Sequence, residues 1–79
     1  MTREEIIQSG WFYQEQHGLD HIYHKGFDGN RWSELITYDN GNITINRKRV
    51  TDSTAARVHY FGGCDNIEDL NFLCKLLAI

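Results

Sequence analysis

The stretch from Arg31 to Val50 constrains the fold more than any other part of the chain, because it predicts a β-hairpin. Asn40-Gly41 lies at its centre, and this dipeptide favours a type I′ turn, which needs positive φ at both central residues. A two-residue loop gives four cross-strand pairs: Asp39–Asn42, Tyr38–Ile43, Ile36–Ile45 and Glu34–Arg47. This pairing gathers the apolar side chains on one face, with an ion pair at its far end. A four-residue loop would keep the same pairs.

A helix is predicted at each end of the chain. Thr2 and Glu5 have the spacing of a capping box, and Gly10 supplies a stop, so the first helix is short. The second helix follows Asp65 or Asn66, either of which can cap it. Its core-facing stripe has the i, i+3, i+4, i+7 spacing of an amphipathic helix and consists of Ile67, Leu70, Leu73, Cys74 and Leu77.

Alternation and turn residues predict the remaining elements: strands at 11–16, 20–25 and 56–62, a loop at 26–30 and a polar connection at 51–55. Phe27 either continues the second of these strands or anchors the loop. Strands joined by short connections form an antiparallel sheet, commonly with one covered face. We therefore expect an α+β fold. It is an antiparallel β-meander of four to five strands, with an N-terminal and a C-terminal helix packed on one face. Residues 1–79 are expected to form a single small domain.

The small size of the chain predicts a core of marginal stability, because only 79 residues are available to build it. Cys64 and Cys74 lie ten positions apart, and Cys74 is inside a predicted helix, so a disulfide between them is awkward. Free thiols and the absence of a secretory signal or membrane span favour a cytoplasmic protein, in the host cytoplasm if it is phage-encoded. Self-association is then the expected source of further stability.

Positive charge is concentrated at the open end of the predicted hairpin, where aromatic residues also lie nearby in sequence. The formal net charge of −3 argues against nucleic-acid binding, which needs a large positive field. Arginine with aromatic side chains suits a nucleotide or a protein hot spot. We predict a ligand- or partner-binding site at this open end, rather than at the Asn-Gly turn, formed by Arg47, Arg49, Arg57, Trp32 and Tyr60. The alternative is a solvated strand end in which Glu34 pairs with Arg47.

Two further apolar features indicate a protein interface. Residues 11–13 are three aromatics in a row, so both faces of that strand carry one, and the face outside the core needs a cover. The second helix has an additional apolar stripe beside its core-facing one. We predict interface residues Trp11, Tyr13, Phe72 and Leu76, and we expect a homo-oligomer.

Cys64 and the histidines are the candidates for chemistry. Cys64 follows two glycines near a helix N-terminus, a setting that lowers a thiol pKa, and His59 is the candidate base. No segment supplies the orienting group and oxyanion donors of acyl transfer. His21 and His24 fall on opposite faces of a strand, so they cannot share a metal there, which leaves His21, His59 and Cys64 as the conceivable set. We expect no metal and no cofactor.

The order of elements, together with two short patterns, provides a resemblance to known proteins. The patterns are Ile-x-Ile at residues 43–45 and N-x-x-D-L-x-x-L-x-x-L at residues 66–76. The chain resembles short, uncharacterised proteins encoded by phages and prophages of gut Bacteroidota. The resemblance implies no activity and no site residues. Phage proteins of this size are often accessory factors that bind a host component or a host defence signal.

These observations predict a non-enzymatic binding protein, a phage or mobile-element accessory factor that binds a host protein. One alternative is a protein that binds or sequesters a small anionic ligand, such as a nucleotide signal. A second alternative is a small thiol or histidine enzyme.

Overall fold

A computed structural model describes residues 1–50 and 57–79. Its elements are α1 (Arg3–Gln8), β1 (Phe12–His17), β2 (Asp20–Asp28), β3 (Arg31–Thr37), β4 (Asn42–Arg49), β5 (Arg57–Gly63) and α2 (Ile67–Leu77). The polar connection predicted at residues 51–55, and Ala56 as the start of the last strand, lie outside the described residues. β2 extends beyond the predicted 20–25 segment, so Phe27 belongs to the strand.

The strands form one open sheet in the order β1-β2-β3-β4-β5, and every neighbouring pair is antiparallel. A helix precedes the sheet and another follows it in the chain. The predicted α+β meander is therefore confirmed, with five strands. No helix in residues 1–50 and 57–79 is long and apolar enough to cross a membrane.

Both helices pack on one side of the sheet, which we call the helix-side face. Directly paired residues of antiparallel strands share a face, and the row Tyr23–Leu35–Ile45 defines this one. All three side chains are at most 2% exposed, and they cluster with Ile6 of α1 and Leu70 of α2. Neither described helix covers the opposite side of the sheet, which we call the outer face.

The β3–β4 hairpin has a register one residue away from the predicted one. Leu35 faces Ile45, a position that the prediction gave to the next residue along β3. The loop contains three residues, because the Tyr38 N–H donates to the Asn42 carbonyl at 3.0 Å and Gly41 adopts φ +87°. A three-residue loop commonly ends in such a left-handed residue. The predicted pairing was wrong because both loops considered had an even number of residues.

The change of register exchanges the two faces of β3, since a slip of one residue moves every side chain to the other face. Leu35 is completely buried under the helices, whereas Ile36 lies half-buried on the outer face. The predicted pair between Glu34 and Arg47 does not form, because Glu34 lies opposite Asn46 on the outer face. A polar group that was expected at a strand end is therefore at the centre of the sheet.

Both helices begin as the sequence predicts. The Thr2 hydroxyl accepts from the Glu5 N–H at 3.2 Å, and the Glu5 carboxylate accepts from the Thr2 N–H at 2.8 Å. The Asn66 side chain caps α2 by accepting from the Asp69 N–H at 2.9 Å. The predicted stripe of α2 is buried in the core or packs against it: Ile67, Leu70, Leu73, Cys74 and Leu77.

Candidate binding surfaces

A buried polar cluster occupies the centre of the outer face. Glu34 on β3 lies between His24 on β2 and Asn46 on β4. Its carboxylate accepts hydrogen bonds from the Asn46 amide at 3.1 Å and from the Lys48 ammonium at 3.3 Å. His24 Nε2 lies 3.5 Å from the same carboxylate. The Glu34 side chain is only 8% exposed, so these donors offset the hydration that it loses on folding.

His24 is held towards its neutral form in this cluster. Burial lowers the pKa of His24 below its usual 6.5, and the nearby Glu34 carboxylate offsets only part of this effect. A neutral imidazole still has one ring N–H to donate to a carboxylate. The cluster is therefore a Glu34–Lys48 ion pair supported by two neutral side chains.

Aromatic rings cover one flank of the polar cluster. The rings of Phe27 and Trp32 stack with centroids 5.9 Å apart and planes 24° apart, and Trp32 lies 5.6 Å from the His24 ring. Phe27 is 61% exposed, whereas Trp32 is half-buried. Trp32 therefore belongs to the outer face and contacts the His24 side of the cluster.

Two buried polar atoms of the outer face have no hydrogen-bond partner within the described part of the chain. They are Trp32 Nε1, which can only donate, and Asn46 Oδ1, which accepts. Leaving a buried donor or acceptor unpaired costs about 1–3 kcal/mol. Because both atoms lie on neighbouring strands of one face, a single partner could satisfy both.

Large apolar side chains surround this cluster and remain exposed. Phe12 pairs with His24, Val58 with Asn46, and Phe61 with Thr44, so cross-strand pairing places them on the outer face. Together with Phe27, they are 59–67% exposed. Large hydrophobic side chains that are exposed as a group, here on the sheet face without a helix, are typical of a protein interaction site.

The predicted arginine site lies at the end of the sheet that is remote from the β3–β4 loop. Arg31 pairs with Arg49, and Arg47 pairs with Arg57, so all four lie on the helix-side face. The Arg47 guanidinium donates to the Ser33 hydroxyl at 3.2 Å. Within residues 1–50 and 57–79, none of the four forms an ion pair with a carboxylate.

The two aromatic residues predicted beside these arginines lie on different faces of the sheet. Trp32 pairs with Lys48 and points to the outer face, away from the arginines. Tyr60 is on the helix-side face, where its hydroxyl donates to the Gly63 carbonyl at 2.7 Å. The fold thus gathers Arg47, Arg49 and Arg57 and separates them from Trp32.

The predicted interface residues are divided between the core and the surface. Trp11 is 1% exposed and belongs to the core, so its side chain is not available at the surface of the single chain. Tyr13 packs against the core, and the Arg3 guanidinium lies 4.0 Å from its ring centroid. Phe72 and Leu76 on α2 are 61% and 66% exposed.

Cys64 lacks the properties expected of a nucleophile. Burial raises the pKa of the Cys64 thiol, and the carboxylates of Asp69 and Asp65 raise it further. The expectation of a lowered pKa was wrong because burial and these carboxylates outweigh the helix N-terminus. Both cysteines are buried and free. Within the described residues, no three His, Cys, Asp or Glu side chains converge as a metal site, the set His21, His59 and Cys64 included.

A cavity of about 510 Å³ lies beside the β3–β4 loop, and no pattern in the sequence indicates it. We call it the turn-end cavity. Its walls come from α1, the start of β2, the hairpin loop and the segment before α2, which lie far apart in the chain. The lining includes Arg3, Ile6, His21, Asp39, Ile43 and Asp65.

The chain shows no significant match to a family model, a curated protein or a solved structure. Its function is therefore inferred from the chemistry of these surfaces.

Proposed function

We propose that this protein is a non-enzymatic binding protein whose outer face docks another protein, in the first place a second copy of the same chain. One observation carries the proposal. The side of the sheet that neither described helix covers combines exposed apolar side chains with an unpaired buried donor and an unpaired buried acceptor. Contact with a protein would remove the apolar groups from water and supply the missing hydrogen bonds.

The two unpaired atoms favour a second copy as the partner. In a two-fold dimer each copy presents the same surface, so Trp32 Nε1 of one protomer can meet Asn46 Oδ1 of the other, and the reverse contact follows by symmetry. The ion pair between Glu34 and Lys48 leaves no net charge at the centre of the face to repel the copy. Both atoms are covered in the single chain, so docking requires side chains to rearrange, as is common at interfaces.

The biological role that we propose follows from the phage resemblance. The protein is an accessory factor of a phage or mobile element that acts in the host cytoplasm by binding a host protein. The outer face is the contact for both partners, so the host protein competes with self-association. Binding of a host protein should therefore be weakened by the same substitutions that weaken the dimer.

Light scattering after size-exclusion chromatography tests self-association. We expect a dimer at high micromolar concentration for the wild type and a monomer for Phe61→Lys, which places a charge on the outer face. Phe72→Lys is the matched control, because Phe72 is similarly exposed (61%, against 67% for Phe61) but lies on α2. A wild-type monomer, or a dimer disrupted only by Phe72→Lys, would contradict docking through the outer face.

The arginine end of the helix-side face supports a second candidate function, the binding of a small anionic ligand. Like charges placed directly opposite each other on neighbouring strands are destabilising, and two Arg–Arg pairs occur here side by side. A phosphate group would relieve this repulsion through charge-assisted hydrogen bonds. A nucleotide is the anionic ligand predicted from the combination of arginine and aromatic residues in the sequence.

A thermal-shift measurement with ATP and with inorganic pyrophosphate tests this second candidate. A ligand of the folded state raises Tm, and the rise grows with ligand concentration. The shift should be lost in Arg49→Ala and kept in Lys75→Ala, which removes a positive charge on α2. Absence of a shift with both ligands, or an equal loss in the two variants, would rule out binding at the arginine end.

A further inference from the structure

The turn-end cavity is large enough to hold a small ligand. Its volume of about 510 Å³ lies within the ~300–1,000 Å³ range of ligand pockets in proteins. Ile6 and Ile43, both buried, form an apolar part of its lining. A ligand that fills it would therefore carry an apolar group as well as polar ones.

One wall of the cavity contains Arg3 and His21, which both contact Tyr13, a residue outside the lining. The Arg3 guanidinium lies 4.0 Å from the centroid of the Tyr13 ring, which holds it in place by a cation–π contact. The Tyr13 hydroxyl is 3.0 Å from His21 Nδ1, so the Nε2 atom of His21 is left for another partner. Arg3 forms no ion pair with a carboxylate within the described residues. This wall can therefore receive an anionic group.

A second part of the lining, at the hairpin loop and the segment before α2, carries two carboxylates, those of Asp39 and Asp65. A Cβ atom on Gly41 would lie 3.4 Å from Oδ1 of Asp65, so this carboxylate is placed against the hairpin loop. The Met1 ammonium donates to the backbone carbonyl of Asp65 at 3.3 Å. Neither carboxylate forms an ion pair in residues 1–50 and 57–79. This wall suits an ammonium group.

We propose that the turn-end cavity binds a short peptide with free termini. The peptide carboxylate contacts Arg3 and His21, its ammonium contacts Asp39 and Asp65, and an apolar side chain packs over Ile6 and Ile43. A dipeptide or tripeptide separates its two charges by several bonds, so they can contact two groups of lining residues from different segments, whereas a single amino acid holds its charges side by side. The site lies at the end of the sheet that is remote from the arginines.

Binding of the dipeptide Ala-Phe, followed in ¹H–¹⁵N spectra of the full chain, tests the proposal. We expect shifts at His21 and Gly41, and a Kd at least about tenfold lower than for N-acetyl-Ala-Phe or for Ala-Phe amide, each of which lacks one charge. Phenylalanine should bind more weakly than Ala-Phe. No shift at these residues at about 10 mM peptide, or equal binding of the blocked peptides, would overturn the proposal.

Two substitutions assign the charges to their walls. In Arg3→Gln the preference for a free carboxylate should disappear, and in Asp39→Asn the preference for a free ammonium should disappear. Lys75→Gln and Asp28→Asn make the same changes of charge at residues outside the cavity lining and should leave both preferences intact. A loss confined to these controls would overturn the assignment. The blocked peptides keep the test valid for the wild type if a variant fails to fold.

Discussion

At the scale of single residues, Glu34 determines the chemistry of the outer face. A carboxylate that is 8% exposed on a sheet face without a helix needs donors close by, and Asn46, Lys48 and His24 provide them. The sequence contains all four residues but does not indicate that they meet. Their association depends on the register of β3 against its two neighbours, which Glu34 alone cannot determine.

The stability of the protein should depend on pH through His24. The folded-state pKa of His24 is lowered, so protonation favours the unfolded chain. The contribution of His24 is complete above the unfolded pKa of 6.5 and is lost as the pH falls through the folded pKa. The free energy of unfolding, measured in urea at pH 7.5 and at pH 5.5 (each about one unit from the unfolded pKa), should decrease less in His24→Gln than in the wild type. Equal losses would contradict the prediction, and His17→Gln at an exposed position is the control.

The Cys64 thiol should react slowly in the folded chain. Burial and the neighbouring carboxylates raise the pKa of its thiol, and only 6% of the residue is exposed. Alkylation by iodoacetamide at pH 7.5 should therefore be at least ~10-fold slower in the folded chain than in urea, as measured by mass spectrometry of the Cys64 peptide. Rapid alkylation of the folded chain would restore the thiol-enzyme alternative.

At the scale of elements, the β3–β4 loop sets the arrangement of the whole sheet. Its three residues align Leu35 with Ile45 and so place one apolar row under the helices. Gly41 makes the loop possible, because φ +87° is a conformation that residues with a Cβ rarely adopt. The Cys64 N–H also donates to the Gly41 carbonyl at 3.0 Å, which ties the loop to the segment before α2.

Gly41→Ala tests this role of the loop. The substitution forces a left-handed conformation on alanine and brings its Cβ within 3.4 Å of the Asp65 carboxylate. We expect the free energy of unfolding to fall by about 1–2 kcal/mol. Gly63→Ala is the control, because Gly63 has no positive φ and its Cβ would meet only Asn42 Oδ1 at 4.0 Å. It should be neutral or slightly stabilising, and equal losses in the two variants would contradict the prediction.

At the scale of the whole molecule, a five-stranded sheet is covered by helices on one side only. A chain of 79 residues has a limited core, and the apolar side chains on its outer face leave more than half of their surface in water in the monomer. Docking of a second copy would convert this exposed surface into buried surface. Stability and association should therefore be linked.

This linkage predicts that Tm depends on protein concentration. If the dimer forms only from folded chains, Tm should rise by a few degrees for each tenfold increase in concentration. Calorimetry between low and high micromolar concentration measures this directly. In Phe61→Lys the dependence should disappear, and a constant Tm in the wild type would contradict the linkage.

Local signals in the chain specify the elements and their order. Capping residues, the α2 stripe and strand alternation predict both helices, all five strands and the packing of both helices on one side of the sheet. The hairpin was also located correctly, since Asn40-Gly41 lies within its loop. These features depend on residues that are close together in the chain.

The register, the composition of the two faces and the cavity depend on contacts between distant parts of the chain. Because the loop has three residues and not the predicted two, Ile36 lies on the outer face and Leu35 lies in the core. The two side chains are equally apolar, so the sequence does not distinguish them. The same register places Trp32 away from the arginines. The packing of α1 and of the segment before α2 brings Arg3 and Asp65 to the same cavity as Asp39. Hydrophobic periodicity specifies which residues of a strand share a face. Pairing across strands and helix packing then decide which of the two faces is buried.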